Sequence, residues 1–191
     1  MPHFTTQPPE LPDGFVFRIV RTPADRPFVA IVTCVDPVGC NTHFANHRTT
    51  PCDGYAACNL CMDGHSKRWH GYVSCLVPTT LEHVLFEFTA HACDPFTNYH
   101  NLHAGLRACA FKAFRPSKRN NGRVIIHTSP ADERKLALPE PPNIQRLLCH
   151  IWNVQYTEPE TRMPRPPFKD ATPRPGNGQP PDPAEILKPA T

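Results

Sequence analysis

The chain has 191 residues, including 25 prolines and nine cysteines, and carries a net charge of +3. That length suits one ordinary domain with tails. No apolar run approaches the roughly 20 residues that span a bilayer, and no basic segment followed by an apolar one opens the chain, so neither a membrane span nor a secretory signal is expected. An intracellular, cytoplasmic location follows, associated with the nucleoid if the source is bacterial or phage. In that reducing setting clustered cysteines read as metal ligands rather than as a disulfide framework.

The prolines are unevenly placed: ten fall in residues 157–191, among five basic and five acidic side chains. That stretch has too few large apolar residues to offset its ordering entropy, so a disordered tail is expected there. Residues 1–12 read as a flexible arm, which leaves 13–156 as the folded domain.

Strand signals dominate that domain. GFVFRIV (14–20) and FVAIVTCV (28–35) are rich in β-branched and aromatic residues. Residues 40–66 show no sustained periodicity and read as an inserted loop held by something other than a hydrophobic core. RWHGYVSCLVP (68–78) is a strand, and a further strand is centred on 84–88. A short, weak helix is expected over 91–105. LRACAFKAF (106–114) and RVIIHTS (123–129) form a hairpin, with Asn121-Gly122 as its turn signal. Ile144, Leu147, Leu148 and Ile151 then recur at helical spacing, and Pro142 suits the first turn of that closing helix. The expected class is mainly β: an OB-fold-like small barrel with an inserted zinc-binding loop, one short helix after the fourth strand and a C-terminal helix. A five-stranded sheet packed on one helix is the competing architecture.

The loop reads CNTHFANHRTTPCDGYAACNLC. Cys58-x-x-Cys61 is a knuckle whose two thiolates can reach one ion at about 2.3 Å. Cys52 lies six residues before it, and His43 nine residues before Cys52. Four such ligands suit one tetrahedral, structural Zn²⁺ with no open position. For the fourth ligand His43 competes with His47 and Cys40, with His65 as an outsider.

Between Pro95 and Ala131 the chain has no acidic residue but carries Arg107, Lys112, Arg115, Lys118, Arg119 and Arg123. Phe111 lies among them, and the strand after the loop opens with Lys67, Arg68, Trp69 and Tyr72. Aromatics mixed with cations on adjacent strands suit single-stranded nucleic acid, because bases stack on rings while the cations follow phosphates. Arg48, inside the loop, is a further phosphate candidate.

This order of features, with a strand pair, His43, Cys52, the Cys58-x-x-Cys61 knuckle, an aromatic strand holding Trp69 and then VLFEF, resembles the zinc-containing single-stranded DNA-binding protein of T-even phages over about residues 14–88. The resemblance implies an OB-fold whose zinc subdomain buttresses a cationic cleft for single-stranded DNA. It makes His43, Cys52, Cys58 and Cys61 the ligands and places Trp69 or Tyr72 near the cleft. The tail here is neutral and Pro-rich where that family's is acidic; replication or recombination proteins are its expected partners. A role in DNA replication, recombination or repair follows.

A zinc deaminase would need His-x-Glu, which occurs nowhere in the chain, and the carboxylates are scattered, so no enzyme is expected. The alternative is a zinc-stapled protein-interaction module working through its Pro-rich tail, with MPRPPF (163–168) as the segment for aromatic grooves.

Overall fold

The computed structural model describes residues 17–45, 48–52, 54, 57–132 and 137–156. The two termini, expected as a flexible arm and a disordered tail, and His47 lie outside the described residues. The described residues belong to one compact unit, and the chain divides between residues 156 and 157.

The protein is mainly β. Its strands are β1 (Ile19–Val20), β2 (Phe28–Val32), β3 (Val38–Ala45), β4 (Arg48–Pro51), β5 (Lys67–Val77), β6 (Glu82–Thr89), β7 (Cys109–Phe114) and β8 (Ile125–Pro130). Its helices are α1 (Asn59–Met62), α2 (Asp94–His103) and α3 (Ile144–Trp152), with a 3-10 turn at Ala90–Ala92. Among the described residues no helix is long and apolar enough to cross a membrane.

The strands form one mixed sheet in the order β1-β6-β5-β2-β7-β8, with β3 on β5 and β4 on β3. β5 organises it. One edge of β5 pairs with β6 from His70 to Val77. Its other edge takes β2 at Cys75 and Leu76 and β3 from Lys67 to Tyr72. β2 and β3 thus run in series as one strand broken at Thr33–Pro37. With that broken strand counted as first, β5 is second, β6 third and β7 fourth. β7 returns through α2 to lie beside β2, giving the spatial order 4-1-2-3 of a Greek key. β8 adds a final hairpin. Among the described residues β8 pairs only with β7, and β1 lies parallel on β6, so the ladder does not close into the expected barrel.

Period-2 alternation sets the core. Phe28, Phe86, Phe88 and Phe111 converge on one face, and α2 inserts Phe96 among them, 5.0 Å from Phe88 and 5.2 Å from Phe111 between ring centroids. The helix read as weak from sequence is therefore an anchored element. Packing decides it, not propensity. Across β5, α3 covers the other face: Ile144, Leu147 and Leu148 are buried, and Trp152 meets Tyr72 edge-on at 5.7 Å. Asn143 caps α3, accepting from the Arg146 backbone N–H at 3.0 Å, so Pro142 sits before the cap and not in the first turn. In the β7–β8 turn the left-handed residue is Lys118 (φ 52°), rather than either member of Asn121-Gly122.

The segment 40–66 departs most from its sequence reading. It holds a hairpin, β3–β4, and a one-turn helix, α1. β3 rests on the first six residues of β5 and the four-residue β4 pairs with β3, and no hydrophobic repeat marks them.

Candidate metal centre

The candidate site is assembled from four backbone devices. Antiparallel pairing of β3 with β5 places His43 opposite Lys67. The Cys52 N–H donates to the Asn41 carbonyl at 2.9 Å, which extends the β3–β4 ladder by one residue and sets Cys52 two positions from His43. The Cys58 N–H donates to the Gly54 carbonyl at 2.9 Å, and the Cys58 carbonyl accepts from Cys61 and Met62. That turn brings the two knuckle sulfurs round to one side. Finally, α1 stops at once: Gly64 takes φ +79°, its N–H bonds the Cys61 carbonyl, and the His65 N–H bonds the Leu60 carbonyl. This paired closure is a Schellman motif, which wants glycine in the left-handed position.

The result is a cluster of His43, Cys52, Cys58 and Cys61 whose ligand atoms all lie within 4.8 Å of one another. The Cys61 sulfur is 3.5 Å from the Cys52 sulfur and 3.4 Å from His43 Nε2. A tetrahedral centre with bonds near 2.3 Å has edges of about 3.7 Å, so these two pairs stand close to the spacing that one ion requires. His43 is 1 % exposed and its Nδ1 lies 3.2 Å from the Ser66 carbonyl. Donation from Nδ1 to that carbonyl leaves the Nε2 lone pair facing the sulfurs, the second-layer arrangement typical of metal-bound histidine. With protons on the sulfurs, burial, followed by hydrogen bonding and charge from Cys52 and Cys58, pushes the Cys61 thiol up to about 11. A divalent cation removes that conflict by displacing the protons. The cluster could hold a metal ion.

The competing fourth ligands separate cleanly. Cys40 lies three positions from His43 on β3 and therefore on the opposite face, paired with His70. His65 is exposed after α1 and outside the cluster. The other five cysteines, Cys34, Cys75, Cys93, Cys109 and Cys149, are free thiols like Cys40.

The residues expected to contact nucleic acid do not share one environment. Tyr72 is fully buried and Phe111 is 2 % exposed. Tyr72 donates to Glu87 Oε2 at 3.2 Å beneath Trp152, and Phe111 is a core ring, so neither presents a face to a base. Strand alternation turned both inward. Arg107 and Arg115 are also structural. Arg107 donates to the carbonyls of Thr33, Leu138 and Pro139; Arg115 donates to those of Thr22 and Gly122. Trp69 is half-buried. It lies across Gly39 and Gly71, where a Cβ would collide with its ring, and meets Phe88 edge-on at 5.9 Å. It joins the metal hairpin to the core.

Lys67, Arg68, Lys112, Lys118, Arg119 and Arg123 are exposed, and among the described residues none enters an ion pair. Arg48 opens β4 opposite Ala45. Two residues near the cluster were not singled out by the sequence reading. Arg21 forks onto Glu87 at 2.6 and 3.1 Å and also donates to Thr49 Oγ1 on β4 at 3.1 Å. Phe44, beside the cluster residue His43, is 64 % exposed. The alternation of Cys40, Thr42 and Phe44 against His43 was the available signal, hidden by reading the segment as a loop.

Comparison of the chain with family models, curated proteins and solved structures returns no match.

Proposed function

We propose that this chain is a non-catalytic, largely sequence-independent single-stranded DNA-binding protein of the OB type, built around one structural zinc ion. One observation carries the proposal. OB-folds bind oligonucleotides with the face of their second and third strands and with the connections between strands one and two and between strands four and five. In the Greek key described above, the first of those connections is the metal hairpin and the second is the β7–β8 turn with Lys118, Arg119 and Arg123. Residues 21 and 22 tie the two together, since Arg115 at the base of the turn holds the Thr22 carbonyl while Arg21 holds Thr49 of β4. The resemblance to the T-even phage protein points the same way.

Zinc suits the donor set: three thiolates and one imidazole are its structural signature, and four such donors fill every coordination position. That closure, with the lack of a His-x-Glu, supports a role without catalysis. The free thiols support a reducing, intracellular setting.

Anisotropy of a labelled oligo-dT with the zinc-loaded full chain tests the reading. Affinity falls with salt, with a log–log slope of about −0.7 per phosphate neutralised. Replacing Lys118, Arg119 and Arg123 together by alanine makes that slope shallower. Oligo-dA and the matching oligo-RNA tell sequence tolerance and sugar preference. Failure to bind any single strand at low salt, or binding that ignores salt, overturns the proposal.

A further inference from the structure

Phe44 is a large aromatic side chain left in solvent near the end of β3. Its surroundings follow from register. Thr42 pairs with Arg68 and Phe44 with Thr49. Cross-strand partners share a face, and so do residues two apart on a strand. Phe44, Thr49 and Arg68 therefore project from the same side of the β4–β3–β5 ribbon, opposite the side that carries His43 and Trp69. The Thr42 hydroxyl, 2.7 Å from His70 Nδ1, confirms the register on that side. Arg21 reaches the same face through Thr49, but its charge is engaged by Glu87. Arg68 is exposed, and among the described residues it forms no ion pair. An uncovered ring beside an unpaired guanidinium is a surface for a group with a flat apolar face and an anionic linkage.

Resting on the function proposed above, we propose that Phe44 is the platform on which one nucleobase of the bound single strand stacks, with Arg68 holding the neighbouring phosphate. The position of the ring is set by the metal centre, because the residue before it is a ligand and β4, which faces it, runs directly into the ligand Cys52. The platform thus exists in its binding geometry only while the hairpin is pinned. No ring predicted from sequence can substitute: Tyr72 and Phe111 are buried, and Trp69 is laid over two glycines on the other side.

The test compares the zinc-loaded full chain with Phe44→Ala, Phe44→Trp and Arg68→Ala, using labelled oligo-dT across a range of salt. Stacking is not ionic, so F44A weakens binding about tenfold at every salt concentration and leaves the salt slope parallel to wild type. R68A instead makes the slope shallower by about 0.7. F44W retains affinity and gains a fluorescence signal that is quenched on binding, beyond any change contributed by Trp69 and Trp152. Zinc content and melting temperature, measured on each variant, verify that the exposed site tolerates the change. If wild type binds and F44A binds equally well with no added quenching in F44W, the stacking role is wrong while the DNA-binding function stands. If wild type binds no single strand, both fall. If F44A changes the sedimentation mass and not the affinity, the ring contacts a second copy of the chain, which also overturns the proposal.

Discussion

Tyr72 shows how much one side chain can be redirected by its neighbours. Burial is the main force on its phenol, followed by the charge of Glu87, and together they hold its pKa far above the usual range. It stays a neutral donor to a carboxylate that Arg21 already forks. Glu87 is 7 % exposed, so the pair keeps a buried charge satisfied. Tyr72→Phe deletes one charge-assisted bond without opening a cavity. It should cost about 2 kcal/mol of unfolding free energy, read as a lower urea midpoint at unchanged slope. Affinity for oligo-dT should not move, because the ring lies under Trp152. A loss of affinity at unchanged stability would place Tyr72 in the binding surface after all.

At the scale of elements, the metal hairpin and the sheet have different sources of order. β2, β5, β6 and β7 bury a continuous aromatic core with α2. Among the described residues, the segment from β3 to α1 buries little beyond Thr42, His43 and Cys58. Structural zinc contributes on the order of 10 kcal/mol to such sites, which is ample to hold a hairpin that lacks a core. Metal analysis should find one zinc per chain. Chelation, or Cys58→Ser, should abolish amide protection in β3, β4 and α1 while amides of the β5–β6 ladder from Val73 to Val77 stay slow. Uniform loss across β5 and β6 would mean instead that the metal supports the whole fold. Substoichiometric zinc in protein purified without chelator would remove the metal centre itself.

For the whole molecule, the division at residues 156 and 157 matters most. Every group assigned above to metal or nucleic acid belongs to the first unit. Removing Thr157–Thr191 should leave zinc content, melting temperature and oligo-dT affinity unchanged. A tail-dependent affinity would favour the interaction-module reading, in which MPRPPF and its neighbours carry the binding energy. The tail has equal numbers of acidic and basic residues, so its loss should not alter the salt slope either.

The sequence by itself marked the candidate ligands and every observed strand except β3 and β4. Ligand identity is a matter of residue type at short spacing, and Cys52, Cys58 and Cys61 stand within ten residues of one another, so local chain geometry already limits where their sulfurs can go. The strands at 28–32, 67–77 and 109–114 announced themselves through β-branched and aromatic runs, because burial selects for those residues wherever the strand lies. What tertiary structure alone decided was direction. His43 stands in the cluster and Cys40 does not because β3 pairs with β5 in one register, and a shift by one residue would exchange their faces. The same rule turned Tyr72 and Phe111 inward and left Phe44 outside. A run of aromatics and cations states the composition of two faces at once, and only the partner strand says which face meets the core.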